Sequence, residues 1–151
     1  MSFTKRCADI ALCLYVRIFK GNNIKINKRN KLMAKVEEVI LELIDIDGAN
    51  AVAIVDSGSG MVLGKEGTAF DLDLAAAGNT EVVKAKLNTM KSLGLADKIE
   101  DILITLSSQY HIITPMPDKP AVFLYVVLDK AKANLALSRI KTQDCAKALK
   151  L

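Results

Sequence analysis

The residues of this chain that could carry out chemistry are few and lie far apart. His111 is the only histidine, with Tyr110 beside it and Ser108 close by. A histidine base needs a nucleophile within reach and an acid that orients its ring. Alternation along a strand instead points Tyr110 and His111 to opposite faces. We therefore interpret His111 as a structural or surface residue.

The sequence also contains no complete motif for binding a metal ion or a phosphate. The three cysteines, Cys7, Cys13 and Cys145, form no CxxC pair and no cluster with histidine, so no zinc site is predicted. Their odd number and scatter favour a reducing cytoplasm. The turn 58–60 reads Gly-Ser-Gly, but no GxxxxGK[ST] pattern or guanine-recognition signature accompanies it. A hairpin turn is the simpler interpretation.

The charged pairs also have structural explanations. Glu37 with Glu38, and Asp71 with Asp73, are expected near helix starts, where the helix dipole favours acids. Arg139 is the only arginine after residue 32, and it falls within a predicted helix rather than on a projecting loop. The sequence thus predicts no catalytic, cofactor or metal site. It favours a binding or assembly module over an enzyme.

The net charge of +4 divides unevenly along the chain. Residues 1–32 contain eight basic groups and one acid, a net charge of +7. The remaining thirteen basic and sixteen acidic groups give residues 33–151 a net charge of −3. The basic character belongs to a leader, so nucleic-acid binding by the body is not expected. The longest apolar run of the leader is too short to span a bilayer, and no integral membrane association is expected.

The leader itself, residues 1–32, has two interpretations. Near-helical spacing of its apolar residues is typical of a basic amphipathic surface helix. Alternatively the translation start is placed too early, since residues 21–32 are rich in Asn, Lys and Ile and a clean helix pattern begins at Met33. Disorder or a mis-assigned start is the expectation, with residues 33–151 as one domain.

Hydrophobic periodicity defines the elements of the body. Apolar residues step by three and four from Met33 to Ile46, which predicts a helix ended by Gly48. A hairpin follows, with strands over 49–55 and 61–65. A long second helix is predicted over 72–93. Its apolar residues cover an arc of roughly 140°, wider than one sheet face needs. Either a second protein surface or deep burial explains that width.

Three further strands and a closing helix complete the pattern. Strands are predicted over 102–106, 110–114 and 121–128, the last continuously apolar as in a central strand. All three prolines fall in the loop between the last two strands. Asp129 is expected to cap a helix over 131–149 whose apolar side contains Ala133, Ala136, Leu137 and Ile140. The predicted fold class is α+β, a single five-stranded antiparallel sheet flanked by helices in the order α-β-β-α-β-β-β-α.

These segments, in this order and spacing, resemble the roadblock domain of dynein light chains, whose fold is profilin-like. The resemblance also extends to the bacterial branch that includes gliding-motility GTPase regulators. It covers residues 33 to about 149, and it rests on the segments Ile46–Ala49, Val52–Asp56, Met61–Gly64, Asp71–Ala77, Phe123–Leu128 and Asn134–Leu137.

The resemblance implies a cytoplasmic, non-catalytic homodimer that binds a Ras-like small GTPase and modulates its nucleotide cycle. In such a dimer the second helices pair and the sheets join through the third strand. The interface residues implied are Leu72, Ala76, Val83, Leu87, Met90, Asp101, Leu103 and Thr105. Two alternatives stay open: a small-molecule sensor of the PAS or GAF type, which needs a cavity with converging polar groups, and a passive dimerisation scaffold.

Overall fold

A computed structural model describes residues 28–151 of the chain, and residues Leu32–Leu151 form one compact unit. The interpretations of the leader up to residue 27 concern residues outside this range. The described elements are α1 (Lys28–Ile44), β1 (Ala49–Asp56), β2 (Met61–Gly67), α2 (Leu72–Ser92), β3 (Ile102–Thr105), β4 (Gln109–Pro115), β5 (Val122–Asp129) and α3 (Leu135–Ala148).

The five strands form one antiparallel sheet in the order β2-β1-β5-β4-β3. β5, the continuously apolar segment, is the central strand, and every residue from Val122 to Leu128 is buried. Strand β3 forms one edge and pairs only with β4, from Ile102 opposite Ile113 to Thr105 opposite Tyr110. The predicted fold class and element order are confirmed.

Two helices cover one face of the sheet. α1 buries Val36 and Ile40 against this face, and α3 contacts β4 and β5. α1 lies close to β2 at Gly64, where an added Cβ would be 2.5 Å from Ile40 Cδ1 and 2.6 Å from Val36 Cγ1. The missing side chain at Gly64 is therefore what allows this helix to pack directly on the edge strand.

Among the described elements, only helix α2 covers the opposite face. It begins at its N-cap Asp71, whose carboxylate accepts hydrogen bonds from the backbone N–H groups of Asp73 and Leu74. It ends at the C-cap Leu93, followed by Gly94 with a φ of 66°, the left-handed conformation that glycine adopts at helix ends. The predicted range of 72–93 agrees with the observed helix to within one residue.

The first helix begins earlier than predicted, at Lys28 instead of Met33, because Lys and Arg are good helix formers and extend it backward. Glu37 and Glu38 consequently lie in the middle of α1, exposed to solvent. The expectation that they sit at a helix start was wrong.

The closing helix also differs from its prediction. Asp129 ends β5 and accepts a hydrogen bond from the Ala131 backbone in a turn, while Asn134 caps the helix. Ala136, Leu137 and Ile140 are exposed, the last two by 51% and 56%. The buried face contains Ser138, Thr142, Cys145 and Ala146, whose small side chains let α3 pack closely; the two hydroxyl groups bond to backbone carbonyls one turn earlier.

We predict that Gly64→Ala lowers the free energy of unfolding by roughly 1–2 kcal/mol, because the new methyl group overpacks the contact with α1. Gly78→Ala is the matched control, since an added Cβ there meets nothing within 4 Å. In the monomeric chain, at protein concentrations too low for association, that change should instead stabilise α2 by about 0.5–1 kcal/mol, the difference in helix propensity. Chemical denaturation of both variants measures the two effects. Equal stabilities would contradict the close packing of α1 on β2.

Candidate interaction surface

The face of the sheet under α2 is wider than one helix. Five strands spaced about 4.8 Å apart extend over about 19 Å between the outer strand axes, whereas a helix with side chains is about 10–12 Å across. α2 contacts β1 and β2. On the same face, Ile102 and Ile104 of β3 and His111 of β4 are only half-buried, whereas Ile113 of β4 is fully buried.

Four side chains make up this less covered region, which we call the shelf: Phe70, Ile102, Ile104 and His111. Ile102 and Ile104 are half-buried and pack at the margin of the core under α2. Phe70, in the segment before α2, stacks on the His111 ring with 6.0 Å between centroids and 20° between planes. The shelf is an apolar surface at the β3 edge that the chain itself covers only in part.

His111 is held in place by hydrogen bonds at both ring nitrogens. Its Nε2 lies 3.2 Å from Gln109 Oε1, and its Nδ1 lies 2.8 Å from the Tyr125 hydroxyl. Because an amide oxygen only accepts, Nε2 carries the proton and Nδ1 accepts from Tyr125. Burial lowers the pKa of His111 and raises the pKa of Tyr125, the latter opposed by a hydrogen bond with Asn79. A neutral imidazole in one tautomer results, and its interpretation as a structural residue fits this geometry.

The two flanks of α2 face different ends of the sheet. Asp73 forms an ion pair with Lys65 of β2, whereas Asn79 lies close enough to the Tyr125 hydroxyl of β5 to influence its pKa. The Asn79 flank therefore lies toward β4 and β3. Exposed or half-buried small and apolar residues follow that flank at spacings of three and four, which places them on one line. We call this line the helix row: Ala75, Gly78, Val82, Ala85 and Thr89.

Gly78 is the unexpected member of the helix row. A glycine in the interior of an exposed helix costs about 1 kcal/mol relative to alanine. Within residues 28–151 nothing requires it, because an added Cβ would contact no atom of these residues within 4 Å. Glycine at such a position allows another backbone to approach closely, as small residues do at helix–helix contacts. The position is suited to a contact with a second molecule.

The start of β3 is fixed by an ion pair with α3. Arg139 Nε and Nη2 donate to the two carboxylate oxygens of Asp101 at 2.9 Å and 3.0 Å, and Gln143 adds a longer contact of 3.4 Å. The Asp101 side chain is only 5% exposed. A two-pronged arginine–carboxylate pair is strong and directional. It holds β3 against β4 and leaves the outer edge of β3 unpaired within residues 28–151.

The structure assigns the eight predicted interface residues to different roles. Leu72, Ala76, Val83 and Met90 are buried, the first three in the core between α2 and the sheet. Leu103 packs toward the opposite face, and Asp101 is paired with Arg139. Leu87 (43% exposed) and Thr105 remain available to a partner. Dimerisation stays a prediction.

Sequence reasoning missed the helix row, although one signal was present. Gly78 interrupts an otherwise good helix sequence without ending it, and such a glycine requires a packing reason. The shelf gave no comparable signal, because its isoleucines look like ordinary core residues of a strand.

Other candidate chemistry is absent from the described part of the chain. Residues 28–151 contain no group of three His, Cys, Asp or Glu side chains able to hold a metal ion. Cys145 is buried and unpaired, and desolvation together with Glu42 raises the pKa of its thiol to about 12. Such a thiol is a poor nucleophile. Among the described helices, none combines the length and apolar character that crossing a membrane requires.

We predict that the free energy of unfolding falls as the pH is lowered from about 7.5 to 5.5. The folded state lowers the pKa of His111, so below the ordinary value of about 6.5 the unfolded chain binds more protons and is favoured. The chain has no other histidine, and carboxyl groups titrate mostly at lower pH. Urea unfolding at several pH values measures the slope.

His111→Phe is the control for this pH dependence. It keeps an aromatic ring against Phe70 and removes the titrating group, so the slope between pH 7.5 and 5.5 should disappear even if the overall stability changes. A slope that persists in this variant would assign the effect to another group.

Comparisons with known proteins bear on the fold. No protein-family model matches the chain, and no curated protein does so. The solved structures that match it include the gliding protein MglB from Thermus thermophilus, an MglB with a tetrameric arrangement, and a roadblock/LC7 domain from Streptomyces avermitilis.

The extent of the match is similar in all three. The two MglB structures are each 20% identical to this chain and cover 78% of it. The match covers 87% of the Thermus protein with a TM-score of 0.66, and 86% of the tetrameric MglB with a TM-score of 0.67. The Streptomyces domain is 13% identical, covers 74% of this chain and 92% of its own, and has a TM-score of 0.65. At these identities the likeness concerns architecture. The chain has the roadblock fold.

Proposed function

We propose that this protein is a non-catalytic homodimeric regulator that binds a Ras-like small GTPase in the cytoplasm and modulates its nucleotide cycle. One observation carries the proposal. A five-stranded roadblock sheet is covered by two helices on one face and by a single helix on the other, with an apolar shelf and a small-residue helix row beside an unpaired edge strand.

A second copy of the chain complements this surface. In a twofold-symmetric dimer the same patch meets itself, so two helix rows would pack with Gly78 near the contact and two β3 edges would pair. Such pairing gives the backbone N–H and C=O groups of the β3 edge hydrogen-bond partners and removes an aggregation hazard. One structural neighbour is described as MglB with a tetrameric arrangement, which supports self-association as a property of proteins with this fold.

The GTPase partner comes from the resemblance to roadblock regulators, together with the architecture. The described residues contain no metal cluster, and their single buried cysteine is unreactive, so the chain is better suited to binding than to catalysis. The regulator would act by binding one arrangement of the GTPase switch segments more tightly than the other, which shifts their populations.

We predict that Gly78→Arg dissociates the dimer. A long charged side chain between two closely packed helix rows should weaken association by roughly a hundredfold or more, equivalent to the loss of a strong interface contact. Sedimentation equilibrium or multi-angle light scattering over a concentration series measures the change.

Ala77→Arg is the matched control, because Ala77 is the exposed neighbour of Gly78 on the other side of α2. It adds the same charge and should leave the dimer intact. Equal dissociation by both variants would point to a general charge effect, and a monomeric wild-type protein would refute the dimer.

We also predict nucleotide-dependent binding to a Ras-like GTPase. The purified chain is mixed with Ras-like GTPases from the same organism, loaded with GDP or with a non-hydrolysable GTP analogue. A difference of about tenfold or more in affinity between the two states is expected, corresponding to about 1.4 kcal/mol of coupling. Calorimetry measures the affinity, and GTP turnover with and without the protein measures the effect on the cycle.

The outcomes separate the alternatives. Absence of binding in both nucleotide states contradicts the regulator. Binding with equal affinity in both states and unchanged turnover favours the passive scaffold. The Gly78→Arg variant tests whether the GTPase requires the dimer, since a surface formed by two copies would be lost in the monomer.

A further inference from the structure

A cavity lies where strand β4 extends beyond its neighbour. β3 begins at Ile102, opposite Ile113, so the last residues of β4, Thr114 and Pro115, have no partner on that side. The chain before β3 takes an irregular path over residues 95–101. The space between this segment, α2 and α3 forms a cavity of about 430 Å³.

The wall of this cavity is mostly apolar. It includes Val83 and Leu87 of α2, Ile99 of the irregular segment and Met116 after β4. Its volume falls in the range of about 300–1,000 Å³ typical of small-molecule pockets. The cavity is therefore large enough for a ligand and not only for a few water molecules.

One polar group on the wall lacks a partner. Thr114 is buried and lines the cavity, and its Oγ1 forms no hydrogen bond with any group of the described residues. A buried hydroxyl without a partner is unfavourable. Rotation about the Cα–Cβ bond exchanges the positions of the hydroxyl and the methyl group among staggered rotamers. Thr114 can thus present a hydrogen-bonding group to a molecule in the cavity.

The charges around the cavity balance. Asp97 and Glu100 are acidic, Lys98 and Lys147 are basic, and all four are exposed residues that line the same cavity. A phosphate or a cation would require an excess of one sign. This balance, together with the apolar wall, fits an uncharged molecule.

We infer that this cavity binds a small, uncharged, largely apolar molecule with one hydrogen-bonding group, which Thr114 recognises. This property goes beyond the proposed GTPase regulation and does not depend on it. The cavity lies between α2 and α3, so an occupant would contact both helices. A regulator of this kind would carry a ligand site of its own.

The test uses two probes that differ by one hydroxyl group, 1-naphthol and naphthalene, titrated into the full ¹⁵N-labelled chain. The amide signals of Val83, Ile99 and Gln143 should shift on titration, since these residues line the cavity. 1-Naphthol should bind about five- to tenfold more tightly than naphthalene, the ratio expected from one net hydrogen bond.

Substitutions at Thr114 decide whether its hydroxyl causes that preference. Thr114→Val keeps the shape and should reduce the affinity ratio to about one, whereas Thr114→Ser keeps the hydroxyl, and with it the ratio. Leu137→Ser, at an exposed apolar residue outside the cavity, is the control and should leave both affinities unchanged.

Three results would overturn the inference. The first is an equal affinity for both probes in the wild-type chain. The second is a set of shifted signals outside the cavity, or a loss of binding in Leu137→Ser. Either result would mean that the probes bind to exposed apolar surface and not in the cavity. The third is the absence of saturable binding, expected if a second copy or another segment of the chain already fills the cavity. If Thr114→Val does not fold, the wild-type ratio and the signal map still decide the matter.

Discussion

The unequal covering of the two faces of the sheet is the constraint on which the rest of this structure depends. On one face, α1 over β2 and α3 over β4 and β5 bury apolar side chains across the sheet's width. On the other face a single helix, α2, packs over β1 and β2. A helix about 10–12 Å across that packs over two strands leaves part of a sheet about 19 Å wide uncovered. A partly exposed apolar surface at β3 is therefore a consequence of the element order itself.

Strand β3 can serve as an exposed edge because polar contacts hold it in place. It contains four residues, too few to be stable through backbone pairing alone. The ion pair between Asp101 and Arg139 ties its first end to α3, and at its other end Leu106 N–H donates to the Gln109 carbonyl. A short, fixed edge strand can pair with a partner without a large loss of conformational entropy. The same carboxylate of Asp101 contacts Gln143, which lines the cavity.

Local signals were sufficient for most of the fold. The apolar run at β5, the prolines before it and the caps of α2 each follow from chemistry within a few residues, and they predicted the strand order's centre and both ends of the long helix. The buried face of the closing helix was mispredicted because this helix packs close to the sheet, where only small side chains fit. Close packing selected Ser138 and Thr142, which a hydropathy pattern reads as polar, and left Leu137 outside. The buried side of this helix is therefore decided by the elements that pack against it and not by its own hydropathy pattern.

The interface was harder to predict because folding and association both select apolar residues. The wide apolar arc of α2 indicated two contact surfaces, but it did not show which residues face the sheet and which face a partner. Val83 is the instructive residue, since it is buried at 1% exposure between α2 and the sheet and also lines the cavity. A charge placed there would cost several kcal/mol of folding energy, so it would destabilise the folded chain as well as any dimer. Exposed residues such as Gly78 can report on association separately from folding, and Gly78 is distinguished by the side chain that it lacks.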